Sequence, residues 1–353
     1  MRVVGIMSGT SLDGIDFVLC DVTAQKITYK DRGYKKFSST LRQKLENLAE
    51  GSMSFRDSQK LHYELGSYYY KTLKKIVKDK KWKIDLIGLH GQTVYHFPPL
   101  GTTQVGEPSF LTKLSVPVVS DFRSKLLVYK TQGAPLAPVL HEFILKNEKS
   151  WGFLNLGGMS NLTLKTEKKS LFASDFGTAN VFLDRAVKEL FNKDYDKGGE
   201  FCLRGLPDEK IVTAYIKSHK YFKKNHPKSC GREDFSEKDY LGLMNKMRKN
   251  LSKYDVLATF CEISIYPIVS YLKKNPVKKL VVSGGGAKNK YFLKRLKEEL
   301  ECEVLTSEDL GWPVEAIEGG AFALLAFRKL KNKKTDFKYL GLKENLSPLG
   351  RID

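Results

Sequence analysis

Three short glycine-bearing turns, each following an apolar run, carry the clearest chemical capacity in this sequence. The first spans Gly9, Thr10, Ser11, Leu12, Asp13 and Gly14, between "VVGIMS" and "IDFVLCDV". Glycine lets backbone N–H groups approach an anion, and successive amides in a turn form an anion-binding concavity. Ser8, Thr10 and Ser11 add hydroxyl donors, and Asp13 and Asp16 are placed to orient a magnesium ion or its waters. The second turn is Gly157-Gly158, and the third, Gly284-Gly285-Gly286, opens an amphipathic helix. No Gly-Lys-Ser/Thr follows any of them, so none is a Walker loop. Taken singly, each has a structural alternative, since glycine at a strand end also permits close packing. Three of one kind point to nucleotide phosphates.

Carboxylates and an arginine supply the rest. Asp175 closes the strand "LFASDF" and precedes "FGTAN" and a helix, and strand C-termini in α/β sheets face the ligand crevice. A carboxylate there is placed to act as a general base. Capping the next helix is the alternative role, for which Thr178 and Asn180 are better placed. Asp121 and Arg123, in "SDFRS", follow another strand; the arginine offers a bidentate grip on a carboxylate or sugar hydroxyls, or an internal ion pair. "HGQTVYHFPP" brings His90, Gln92, Thr93 and His96 to a strand end, for substrate contact or a structural network. Glu318 lies inside an apolar helix beside Gly319 and Gly320, where a carboxylate needs a partner.

These groups require elements to position them. Strand runs are expected over Val3–Met7, Ile15–Val22 and Ile27–Phe37, with helical periodicity from about Ser39 to Lys80. Shorter strands end at His90 and Asp121. The pattern then repeats in outline: "WGFLNLGGMSNLTLKT", a third strand to Asp175, a helix, "KKLVVSGGG", and a last helix from Val314 to Lys331. Alternating strands and helices define an α/β layer fold, and two hairpin-led halves imply duplication around a cleft. The expected lobes are 1–134 together with 332–353, and 135–331.

At 353 residues, 41% of them hydrophobic, the chain can bury two cores. No apolar stretch is expected to reach the roughly 18 to 20 residues that span a bilayer, and no secretory signal is expected. The five cysteines are far apart in sequence and lack metal-ligand spacing, as expected of thiols in a reducing cytoplasm. The net charge of +20 comes mostly from lysines on helix-like faces, without the aromatic interleaving of a nucleic-acid platform. No nucleic-acid and no membrane partner is expected.

In order along nearly the whole chain, "GIMSGTSLDGID", "HGQTVYHFPP", "SDFRS", "QGAPLAP", "NLGGMSNLT", "DFGTAN", "PKSCGRE", "SGGGAKN" and "EAIEGGAFALLA" closely resemble the anhydro-N-acetylmuramic acid kinase family of bacterial wall-recycling enzymes. The resemblance implies a duplicated actin-like, ribonuclease H-like sugar-kinase fold of two lobes with a central cleft. It implies hydrolytic opening and 6-phosphorylation of 1,6-anhydro-N-acetylmuramic acid with ATP and Mg2+, in the cytoplasm; a homodimer is left open. Carried over by motif, Asp175 is the catalytic base, and Arg123 and Glu318 bind the sugar. Gly9 through Asp16, including Leu12, Gly14 and Ile15, hold ATP, joined by Gly284 to Gly286. On the residues alone, Gln92 and Thr93 are expected at the substrate, and Gly157 and Gly158 at the nucleotide. Where the family usually has Asp-Thr-Gly-Pro-Gly-Asn, this chain has "DFGTAN", and "LLVYKT" precedes "QGAPL". Two further functions stay open on the residues alone: an actin-like kinase for another sugar, and a catalytically silent nucleotide binder.

Overall fold

The computed structural model describes residues 1–9, 12–168, 170–230 and 234–353. Its chain forms two compact units, Met1–Lys146 with Gly311–Asp353, and Asn147–Leu310.

The first unit opens with an antiparallel meander, β1 (Arg2–Ser8), β2 (Gly14–Val22) and β3 (Ile27–Lys36). Helices α1 (Ser39–Ala49) and α2 (Phe55–Asp79) follow, each capped by a serine, Ser38 and Ser54, whose side chain accepts from the amide three residues on. Strand β4 (Leu86–Phe97) pairs parallel with β1 and folds back as β5 (Gly101–Val105). The strand expected to end at His90 therefore runs on to Phe97, where its polar half pairs in a hairpin. Strand β6 (Val118–Ser120) and the short helices α3 (Ser124–Val128) and α4 (Pro138–Ile144) complete the segment.

The second unit repeats the winding. An antiparallel meander of β7 (Trp151–Leu156), β8 (Met159–Lys165) and β9 (Phe172–Thr178) leads into α5 (Asn180–Phe191). Helices α6 (Glu209–Ser218), α7 (Glu237–Met247) and α8 (Lys253–Lys274) come next. Strand β10 (Lys279–Ser283), α9 (Lys290–Glu299) and β11 (Glu303–Thr306) close the unit. By length and hydropathy α8 matches a membrane span, yet 72% of that window is buried inside the protein. Its Glu262 is paired at 2.5 Å with Arg295 of α9, as befits a core helix.

The chain returns to the first unit through α10 (Ile317–Leu330) and β12 (Arg351–Ile352). The sheets run β12-β6-β4-β1-β2-β3 and β11-β10-β7-β8-β9. In each, an antiparallel meander is extended from its first strand by two parallel strands, so the order 3-2-1-4-5 occurs twice.

Residues 135–146 and 311–331, expected in the second lobe, belong to the first unit. The reason is α10, which lies against β1, β2 and β4. A Cβ on Gly5 would fall 1.8 Å from the carbonyl oxygen of Gly319, and one on Gly319 would fall 2.4 Å from Val18. The helix backbone thus lies directly on the strand backbone, which no larger residue permits. With α2 on the opposite face, where Val4, Ile6, Phe17, Leu65 and Tyr69 share a core, β1 is buried on both sides. That explains its unbroken apolar run.

Candidate functional site

Glu318 sits in the first turn of α10, and the backbone contact at Gly319 fixes where that turn falls. The space left by Gly319 and Gly320 is filled by protein, with Trp312 lying 2.4 Å from where a Gly320 Cβ would be. The Glu318 carboxylate has no hydrogen-bond partner among the described residues and its side chain reaches solvent. Surrounding protein raises its pKa, Arg123 opposes the rise, and Asp16 and Asp13 add to it. Solvent contact moderates all of these.

Arg123 stands just before α3, half-buried. Its Nε–H donates to His90 Nε2 at 2.9 Å and an Nη1–H to the Gly133 carbonyl at 2.8 Å. Burial lowers its pKa to about 10, against the pull of Glu318. The expected ion pair with Asp121 is not formed; Asp121 instead accepts from the Ser124 amide at 3.2 Å.

The opening turn is only partly described, since Thr10 and Ser11 lie outside the described residues. Ser8 Oγ is bonded to Tyr69 OH at 2.9 Å, fixing the end of β1 to α2. Leu12, Gly14 and Ile15 are buried, with Ile15 0% exposed, so only their backbone could meet a nucleotide. Asp13 is exposed. Asp16 is bound by Arg32 at 2.5 Å, and burial raises its carboxyl against that partner. The carboxylate expected beside a metal thus carries an arginine partner. Gln92 is 0% exposed, and its Nε2 donates to the carbonyls of Gly9 at 2.9 Å and Thr93 at 3.0 Å. The side chain expected at the substrate thus braces the turn. Thr93 is partly buried and accepts from Gln104 at 3.4 Å.

In the second unit, Asp175 is three residues short of the end of β9, not at its terminus, and lies opposite Asn161 of β8. On the other edge its N–H donates to the Lys228 carbonyl at 2.8 Å, and the Cys230 N–H donates to Asp175 Oδ2 at 2.8 Å. Ser174 Oγ accepts from the Lys228 N–H at 2.9 Å and is bonded to His226 Nδ1 at 2.7 Å. The His226 ring stacks on Phe176 with centroids 4.4 Å apart. Burial raises the Asp175 pKa; the N–H and thiol of Cys230 pull it back, and Asp234 pushes it up again. The result is a half-buried acid with one oxygen held and a strengthened affinity for a proton, which suits a general base.

The Gly157 and Gly158 carbonyls accept the amides of Asn180, Ala179 and Val181 at 2.9 to 3.1 Å, so the first turn of α5 is tied to this hairpin. The Asn180 side chain, expected as a cap, donates to the Leu156 and Gly157 carbonyls. Gly284 has φ +77°, and a Cβ there would lie 2.4 Å from Asn155 Oδ1; one on Gly286 would lie 2.6 Å from Leu156. Close packing therefore accounts for these two, while Gly285 is exposed and only Asn180 Nδ2, at 3.9 Å, lies near where its Cβ would be.

Sequence reasoning missed His90 as the acceptor for Arg123 and the Cys230 amide as the donor to Asp175. Both motifs were visible, but neither contact is encoded by spacing. Cys202 and Cys261, far apart in sequence, lie with sulfurs 3.3 Å apart in the second unit's core as free thiols. No cluster of three metal-ligating side chains occurs among the described residues.

Two sheets wound in the same order, each led by a hairpin whose turn carries glycines or hydroxyls, define a duplicated α/β protein. Residues 1–344 match the family AnmK, anhydro-N-acetylmuramic acid kinase. An anhydro-N-acetylmuramic acid kinase of Sulfurimonas denitrificans is 36% identical over 345 residues, covering 94% of this chain and 93% of the relative. One of Bacillus thuringiensis subsp. konkukian is 33% identical over 354 residues, covering 92% of each. Among solved structures, the activator of the 2-hydroxyisocaproyl-CoA dehydratase from Clostridium difficile with bound ADPNP has a TM-score of 0.49 at 12% identity, covering 94% of this chain and 96% of that one. The chain belongs to the anhydro-N-acetylmuramic acid kinase family, and its activity is that of a sugar kinase.

Proposed function

We propose that the protein opens 1,6-anhydro-N-acetylmuramic acid with water and phosphorylates it at O6 from ATP, in the bacterial cytoplasm during cell-wall recycling. Asp175 takes a proton from water as the water oxygen bonds to the anomeric carbon. The bond from that carbon to O6 breaks, and its electron pair stays on O6. O6 then bonds to the γ-phosphorus, the bond to the bridging oxygen breaks, and ADP leaves. The proton on Asp175 passes to solvent, and the product is N-acetylmuramic acid 6-phosphate.

The first unit contributes Arg123 and Glu318, which hold the sugar through charge-assisted hydrogen bonds. The turn from Gly9 to Asp16 contributes amides for the phosphates, with Gly157, Gly158 and Gly285 as further amide donors. A magnesium ion fits the donors present: Asp13 is an exposed carboxylate beside the turn and would hold the ion through its waters. When bound, it neutralises charge on the phosphates.

The observation that carries this reading is Asp175: a half-buried carboxyl, raised in pKa by burial and held by the Cys230 amide, at the first position of "DFGTAN". Its test is Asp175→Asn, which preserves shape and removes the base. Sugar-dependent ADP formation should fall by roughly 10²–10⁴-fold, the usual weight of a general base, with ATP affinity unchanged. An active Asp175→Asn enzyme would refute the assignment. Turnover of a plain hexosamine in place of the anhydro-sugar would favour a kinase for another sugar.

A further inference from the structure

A guanidinium carries five N–H donors in one plane, so the partners it already has determine which edge remains. In Arg123 the Nε–H and one Nη1–H are engaged, by His90 at 2.9 Å and the Gly133 carbonyl at 2.8 Å. The first of these bonds requires a lone pair on His90 Nε2. That lone pair is assured from the other side of the ring, because His90 Nδ1 lies 2.8 Å from the Gly91 carbonyl oxygen. A carbonyl only accepts, so the proton sits on Nδ1 and Nε2 is bare. The ring is clamped against Phe322 of α10, centroids 4.5 Å apart, and is 4% exposed, although the residue borders a small cavity. Burial and the Arg123 charge hold the imidazole neutral, against hydrogen bonding to the Gly91 and Ser8 backbone. Protonation would set one N–H against another and release the arginine.

We infer that His90 is a positioning residue that locks the Arg123 guanidinium so that its Nη1/Nη2 edge, rather than its Nε edge, is presented to the sugar substrate. The inference rests on the reading of Arg123 as a sugar-binding residue. Two Nη2–H groups and one Nη1–H remain unclaimed by the described residues, a fork matched to a carboxylate or to two adjacent sugar oxygens. Arg123 is held on its Nε side by an acceptor that cannot itself donate, so it cannot rotate to a different pairing without losing a bond. His90 is flanked by His96 as well as Arg123. His62, Asp121 and Arg351 line the same small cavity, and Glu318 acts on Arg123 from α10.

The test combines steady-state kinetics with one measurement on the unaltered protein. His90→Phe keeps an aromatic ring against Phe322 and removes the acceptor; the KM for the anhydro-sugar should rise roughly tenfold or more while kcat and the KM for ATP stay within about threefold, the pattern of lost ground-state binding. His90→Gln, whose amide oxygen can replace Nε2, should recover most of that loss. In the wild type, long-range 15N–1H correlation should show a neutral Nδ1–H tautomer for His90 from about pH 5.5 to 8.5. An unchanged sugar KM in His90→Phe, equal losses in both variants, or an Nε2–H tautomer would each overturn the inference. A wild-type protein that leaves the sugar untouched would instead sink the sugar reading alone, and the tautomer would still decide whether His90 orients Arg123.

Discussion

The carboxyl of Asp175 shows how burial and partners set a reactive group. Burial disfavours its charge, while the Cys230 N–H and thiol favour it, and burial prevails. A base must be ionised to act, so kcat/KM should fall as pH drops through this raised pKa, with the acid limb above the ordinary aspartate value of about 3.9. Asp234 adds to the rise, so Asp234→Asn should move the limb to lower pH; a limb that stays put would remove Asp234 from the account. Arg123→Lys replaces a planar fork with a point charge, and the sugar KM should rise by about 10–100-fold, as loss of charged hydrogen bonds implies. At this scale the sequence supplied residue types and order but not partners. Asp16 carries Arg32, and the Gln92 amide lies on the Gly9 carbonyl. Both contacts join residues remote or out of phase in sequence, which local pattern does not reveal.

At the scale of elements, α10 carries the strongest constraint. Gly319→Ala would drive a methyl group to within 2.4 Å of Val18. Overpacking of this kind costs about 1–3 kcal/mol, readable as a lower denaturation midpoint. Glu318 rides on the same turn, so the sugar KM should rise together with the loss of stability; a stable variant with unaltered KM would contradict the packing. Gly284→Ala combines a left-handed backbone with a contact at 2.4 Å to Asn155, and it should destabilise the second unit in the same manner. Most strands and helices were legible because their apolar periods are strong. The hairpin beyond His90 was not, because its residues are polar and half-exposed, and the strand through Asp175 ran on because Phe176 is buried against His226 and Tyr271.

At the scale of the whole molecule, duplication was visible in the two hairpin-led patterns, and the order 3-2-1-4-5 in both sheets expresses it. The unit boundary was misjudged, because a helix late in the chain was assigned to its nearest neighbours in sequence and not to the strands it covers. What the proposed chemistry requires of the molecule is a single product in which ring opening and phosphorylation are coupled. Its most direct test is the position of the phosphate on the sugar after incubation with ATP, magnesium and 1,6-anhydro-N-acetylmuramic acid, read by mass and by phosphorus–proton NMR. The account predicts a ring-opened sugar with one phosphate on O6 and one ADP for each sugar consumed. A phosphate on any other oxygen, or a phosphorylated sugar with its anhydro bridge intact, would contradict it.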